Sequence, residues 1–102
     1  MIEAEIYKAL GDPIRLEIVK RLSTKPSSTI GELSSNLGVS RQGARKQLQV
    51  LVDANVVYLT QRGRETFVTL DTKTLEIARS FIAQLERHWD ARLEALKKFT
   101  ET

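Results

Sequence analysis

The chain has 102 residues, which makes one domain with a core of modest size. Its 16 Lys and Arg against 13 Asp and Glu leave a net charge of +3 and a pI near 9.4, so the balance is mildly basic and its meaning depends on where the charge lies. It has no cysteine, which excludes disulfides, thiolate metal sites and thiol catalysis.

"EAEIYKAL" reads as a first helix, with Ile2, Ile6, Ala9 and Leu10 on one side and Gly11 at its end. In "GDPIRLEIVKRLS", Asp12 is a natural N-cap and Pro13 suits the first helical position, where a missing N–H is harmless. Ile14, Leu16, Ile18, Val19 and Leu22 form that helix's apolar stripe, and "STKPSST" reads as a loop. In "TIGELSSNLG", Thr29 and Glu32 have the spacing of a capping box. Ile30, Leu33 and Leu37 give the apolar face, and Gly38 is the stop. Ser40 then caps the next helix, so two short helices meet at a tight turn, a helix-turn-helix.

"RQGARKQLQVL" turns Ala44, Leu48, Leu51 and Val52 inward and Gln42, Gly43, Lys46 and Gln49 outward, with Arg45 and Gln47 on the flanks. "NVVYLTQRGRETFVTLD" follows as a β-hairpin with Arg62 and Arg64 at its tip. The rest of the chain is one long helix. Its stripe of Leu75, Ala78, Ile82, Leu85, Trp89, Leu93, Leu96 and Phe99 spans about 36 Å at a rise of about 1.5 Å per residue. So small a domain cannot cover such a stripe alone, and part of it should meet a second copy of the chain.

The fold expected is mainly α with a β-hairpin, a winged helix-turn-helix of about five helices and a two-stranded wing, forming a homodimer through Leu75, Ile82, Leu85, Trp89, Leu93 and Leu96. In such a fold the second helix of the pair enters the DNA major groove and the hairpin reaches the neighbouring backbone or minor groove. Arg and Lys pair with guanine edges and Gln with adenine edges. Ser40 and the first-turn N–H groups suit a phosphate. The DNA-contacting set is therefore Ser40, Arg41, Gln42, Gly43, Arg45, Lys46, Gln47, Arg62 and Arg64. Gly43 is read as a place where the helix backbone approaches the groove.

"ALGDPIRLEIVKRL", "IGELSSNLGVSRQGARKQLQVLVDANVV" and "RGRETFVTLD" resemble the ArsR-type winged-helix transcriptional regulators in order and spacing, over nearly the whole chain. The tail "IAQLERHWDARLEALKKF" resembles a cysteine-free branch that often ends in a Trp-Asp/Glu-x-Arg-Leu helix. The resemblance implies a homodimeric repressor on a palindromic operator, with the first helix, and Ile6 on it, joining the last at the dimer interface. The chain departs from the family at several positions. "ELSSNL" lacks the Cys-x-Cys pair, and "LDTKTL" lacks an Asp-x-His ligand pair. Gly43, Arg45 and Gln47 stand where Ala, Pro or Ser, then Ser or Thr, then His are usual, and Asn55 replaces the glycine after the recognition helix.

The lone His88, beside Trp89, is read as structural, so no metal and no cofactor are expected. No Ser/His/Asp set, paired carboxylates or Gly-rich phosphate loop appears, so no enzyme is expected and no catalytic residue is assigned. No stretch approaches the roughly 20 apolar residues of a membrane span, and none reads as a signal peptide. The expected partners are double-stranded DNA and a second copy, in the cytoplasm, with no membrane partner. Two alternatives stay open: a winged-helix protein-interaction module, and a regulator with an effector site at the dimer interface, its effector unknown.

Overall fold

In the computed structural model, which describes residues 2–101, five helices and three strands follow in the order α1 (Ile2–Leu10), α2 (Pro13–Thr24), β1 (Ser27–Thr29), α3 (Ile30–Ser34), α4 (Arg41–Asp53), β2 (Val57–Arg62), β3 (Glu65–Leu70) and α5 (Thr72–Glu101). The helix starts are set by local side-chain chemistry. Asp12 accepts from the N–H groups of Ile14 and Arg15 at 2.8 and 3.2 Å, with Pro13 at the first helical position. Thr29 and Glu32 close a full capping box. The Glu32 carboxyl is held below the ordinary carboxylate range, first by the Lys25 ammonium bonded to it and then by the Thr29 N–H and hydroxyl. Asp71 accepts from the Lys73 N–H at 3.0 Å where α5 begins.

α3 stops at Ser34, three residues before the expected face ends at Leu37. Asn36 and Gly38 have left-handed φ of 57° and 77°, which cannot continue a right-handed helix. Leu37 still reaches the core from the turn. The carbonyls released there are taken by Arg21 of α2, which donates to Leu33 O and Asn36 O at 3.0 and 3.2 Å and also to Ser35 O. Asn55, also left-handed at φ 61°, turns the chain from α4 into the hairpin, as a residue tolerant of that backbone should.

The segment read as a loop contains a strand. β1 pairs antiparallel with β3, with Ser28 opposite Val68, giving a three-stranded sheet of order β1-β3-β2 in which β2 and β3 form the wing. A strand of three small polar residues has no alternation to reveal it. It is defined by the partner strand and by bonds such as Thr69 Oγ1 to Ser27 Oγ at 3.2 Å.

The core joins α1, α2, α4 and the sheet through Ile6, Ile18, Leu22, Leu51, Val56 and Val68, all with about 1% or less of their surface exposed. Two expectations change here. Leu16, placed in the α2 stripe, is 40% exposed. Ile6, placed at the dimer interface, is 0% exposed, so it has no surface left to offer another chain; Ile2 is the large apolar residue that α1 exposes. Tyr7 ties α1 to α5, donating its hydroxyl to Ala78 O at 2.5 Å and tilting its ring against Phe81. Beyond this joint α5 leaves the body of the domain. Its buried residues are Thr74 and Ala78, Leu75 is half-buried against the core, and the molecule extends over 68 × 25 × 25 Å.

Ile6→Ala should therefore act on folding and leave association intact. Opening a cavity at a fully buried site costs about 2–5 kcal/mol, which urea denaturation will read as an earlier midpoint at unchanged oligomeric state.

Candidate nucleic-acid interface

α4 is positioned by its cap and its apolar face. Ser40 Oγ accepts from the Gly43 N–H at 3.0 Å, and Ala44, Leu48 and Leu51 bury one side against α2, α3 and the sheet. The opposite side carries Gln42, Lys46 and Gln49, and both Arg41 and Arg45 are exposed beside it. Arg41 to Gln47 holds no acid. Among the described residues the ion pairs are Glu17–Arg21, Lys25–Glu32 and Glu76–Arg79, so Arg41, Arg45, Lys46 and Arg64 have no carboxylate partner.

The wing closes through a two-residue turn, Gly63–Arg64, with Gly63 at φ 61°, a conformation that favours glycine. Arg64 alone occupies the tip. Arg62, expected there too, is the last residue of β2, in register with Glu65. Its guanidinium lies 5.1 Å from the centre of the Phe67 ring, an attraction of about 0.5–1 kcal/mol at an exposed site. Arg45 and Arg64 line one groove, with Thr29, Ile30, Gly31, Glu65 and Thr66. The fold thus brings one flank of α4 and the wing tip to a common face.

The other flank is different. Gln47 is half-buried, and its Oε1 accepts from Arg15 Nη1 at 2.7 Å. Arg15 also donates to the carbonyls of Ala9 and Lys8 at 2.6 and 3.3 Å, closing the end of α1. Sequence reasoning missed Arg15. The one available signal was an arginine in the first turn after "GDP", next to a helix end whose carbonyls need donors. Gln49, on the outward face, donates to its own Asp53 at 2.8 Å.

Gly43 carries a second constraint. A Cβ there would lie 3.2 Å from Ser40 Oγ and 3.5 Å from Val39 Cβ. The missing side chain makes room for the cap of its own helix, which is a reason for glycine independent of any approach to DNA. His88 is exposed on α5, and among the described residues no group of three or more His, Cys, Asp and Glu is placed to hold a metal ion. No helix among them is long and apolar enough to cross a membrane.

Residues 10–59 match the family described as a helix-turn-helix domain. The chain is 35% identical over 83 residues to the HTH-type transcriptional regulator Rv2034 of Mycobacterium tuberculosis, covering 81% of this chain and 74% of that protein. Its fold is similar to the ArsR-like transcriptional regulator from Rhodococcus sp. RHA1, with a TM-score of 0.81, 28% identity and coverage of 96% of this chain and 92% of that one. It also resembles the homodimeric winged helix-turn-helix DNA-binding domain Mb0332 from Mycobacterium bovis, a possible ArsR-family regulator. There the TM-score is 0.65 at 18% identity, with 86% of this chain and 82% of that one covered.

The cap explanation of Gly43 has a measurable signature. Alanine gains about 1 kcal/mol over glycine inside a helix, and at residue 43 that gain is opposed by the Ser40 hydroxyl. Gly43→Ala should therefore stabilise the Ser40→Gly background more than the parent, by about 0.5 kcal/mol or more in a thermal or urea double-mutant cycle. Equal effects in both backgrounds would remove the cap as the reason for glycine.

Proposed function

This chain belongs to the ArsR-type family of helix-turn-helix transcriptional regulators, and from that premise we propose that it is a homodimeric repressor that binds a palindromic operator and does not respond to metal through thiolates. The observation that carries the DNA reading is the common face of α4 and the wing, where Arg41, Arg45, Lys46 and Arg64 stand exposed and, among the described residues, outside any ion pair, with Glu65 the one acid lining the groove. Gln42 and Lys46 project from the middle of that face and reach base edges; Ser40, Arg41 and Arg45 hold the backbone on either side. Arg64 meets a phosphate or the minor groove, and Arg62 assists from the wing. A module built to bind protein would need a largely apolar or acidic face, and this one is basic and amide-rich apart from Glu65.

The dimer is supported by α5. Ile82, Leu85, Trp89, Leu93 and Leu96 are between 44% and 60% exposed and follow one another at helical spacing on a segment that leaves its own domain. A matching helix from a second copy would bury them, as in a coiled-coil seam. Thiolate sensing has no ligand in a chain without cysteine, and the proposed regulator is not an enzyme.

The parent should sediment as a dimer at micromolar concentration, and a Leu85→Gln, Trp89→Gln variant as a monomer that keeps its winged-helix domain folded, because neither side chain belongs to the core. A folded, monomeric parent would remove the dimer from the proposal. On DNA, Lys46→Ala and Gln42→Ala should each cost about 1–3 kcal/mol and relax preference at a defined operator position. Arg64→Ala should weaken all duplexes alike and reduce the salt slope by about one. Arg62→Ala should change the slope less, since its guanidinium is already engaged by Phe67. Half-sites for the two α4 helices should lie about 34–36 Å apart. Titrations on specific and scrambled duplexes at several salt concentrations separate these outcomes.

A further inference from the structure

Gln47 reaches the α4 surface already committed at one end. Arginine has donors and no acceptor, so the atom that meets Arg15 Nη1 at 2.7 Å is the amide oxygen. Arg15 cannot readily turn away, because its other nitrogens donate to Ala9 O and Lys8 O at the end of α1. The Gln47 nitrogen, with both its hydrogens, is left without a partner among the described residues. It lies on the flank of α4 shared with Gly43, next to the outward row of Gln42 and Lys46.

A glutamine free at both ends pairs with adenine, accepting from N6 and donating to N7. With its oxygen turned to Arg15, Gln47 presents its solvent-accessible N–H2 end and meets a base edge as a donor. We propose that Arg15 is a positioning residue that orients Gln47 to read as a donor, so that at its operator position Gln47 favours guanine, whose N7 and O6 both accept, over adenine. The inference rests on the reading of α4 as the helix that enters the major groove. It concerns specificity, which the basic face by itself leaves open.

The test is selection of duplexes from a randomised half-site pool by the full-length parent, Gln47→Glu and Arg15→Ala, with circular dichroism as the folding check. In Gln47→Glu the carboxylate keeps accepting from Arg15, while its outward atom changes from donor to acceptor. The guanine should then give way to cytosine, which offers its N4 donor, at one position only. In Arg15→Ala the preference for guanine over adenine there should fall by about threefold to tenfold, roughly what one lost hydrogen bond of a bidentate pair discriminates. If Arg15→Ala fails to fold, Gln47→Glu decides alone. A parent that prefers adenine at the position altered by Gln47→Glu, or selected sequences that Gln47→Glu leaves unchanged, would overturn the inference and leave the regulator standing. A folded parent that binds no duplex and enriches no sequence would overturn the regulator reading itself, and this inference with it.

Discussion

The arrangement of this domain depends on how its helix ends are closed. A helix leaves its last carbonyls without internal partners, and α1 and α3 both end against the body of the protein. α2 closes both with arginines. Arg15 takes the carbonyls of Lys8 and Ala9, and Arg21 takes those of Leu33, Ser35 and Asn36. Hydrogen bonds from a charged donor contribute about 1.5–3 kcal/mol each where they are sheltered, and less where water competes. Their larger effect is geometric. The turn between α3 and α4 cannot be closed by the helix pattern, since two of its residues are left-handed, and Arg21 supplies the donors that hold it. The direction in which α4 leaves that turn follows from this contact and from the Ser40 cap.

α4 therefore has two unlike flanks. On the side of the wing, Arg45 is exposed and shares a groove with Arg64. On the side of α1, Gln47 is drawn back by Arg15. Between them stands the outward face of Gln42 and Lys46, and at its far end Gln49 is turned toward Asp53. An acid at that end repels a phosphate, while the first two turns carry the positive charge, so the electrostatics favour approach of a polyanion by the N-terminal half of the helix. The positive end of the helix dipole acts in the same sense.

α5 belongs to two environments. Its first turns are fastened by Ala78 in the core and by Tyr7 on its backbone. In its outer turns Leu85, Trp89, Leu93 and Leu96 stand exposed in one chain. An isolated helix of that length is marginal in water, because propensity alone barely offsets the entropy of ordering it. A seam with a second α5 would supply the missing burial, and because α5 is rigidly joined to α1, it would also set the separation of two α4 helices.

Much of the fold was legible from local chemistry. Asp12, Thr29 with Glu32, and Ser40 open helices where the sequence places them, because a cap is completed within three residues. The helical stripes, the wing and the left-handed Asn55 are likewise written within a few positions. The basic, amide-rich character of α4 was legible for the same reason. Tertiary structure decided the rest, where partners lie far apart in the chain. β1 exists because Ser27 finds Thr69, 42 residues on. Ile6 lies in the core while Leu16 faces solvent, since a periodic stripe says which side is apolar and cannot say what covers it. Arg62 rests on Phe67 because the register puts it there. The Arg15–Gln47 bond joins residues 32 apart, and no spacing rule within either helix predicts it. Propensity, capping and periodicity act over a turn or two of chain; which side chain closes which distant helix end is settled only when the elements pack.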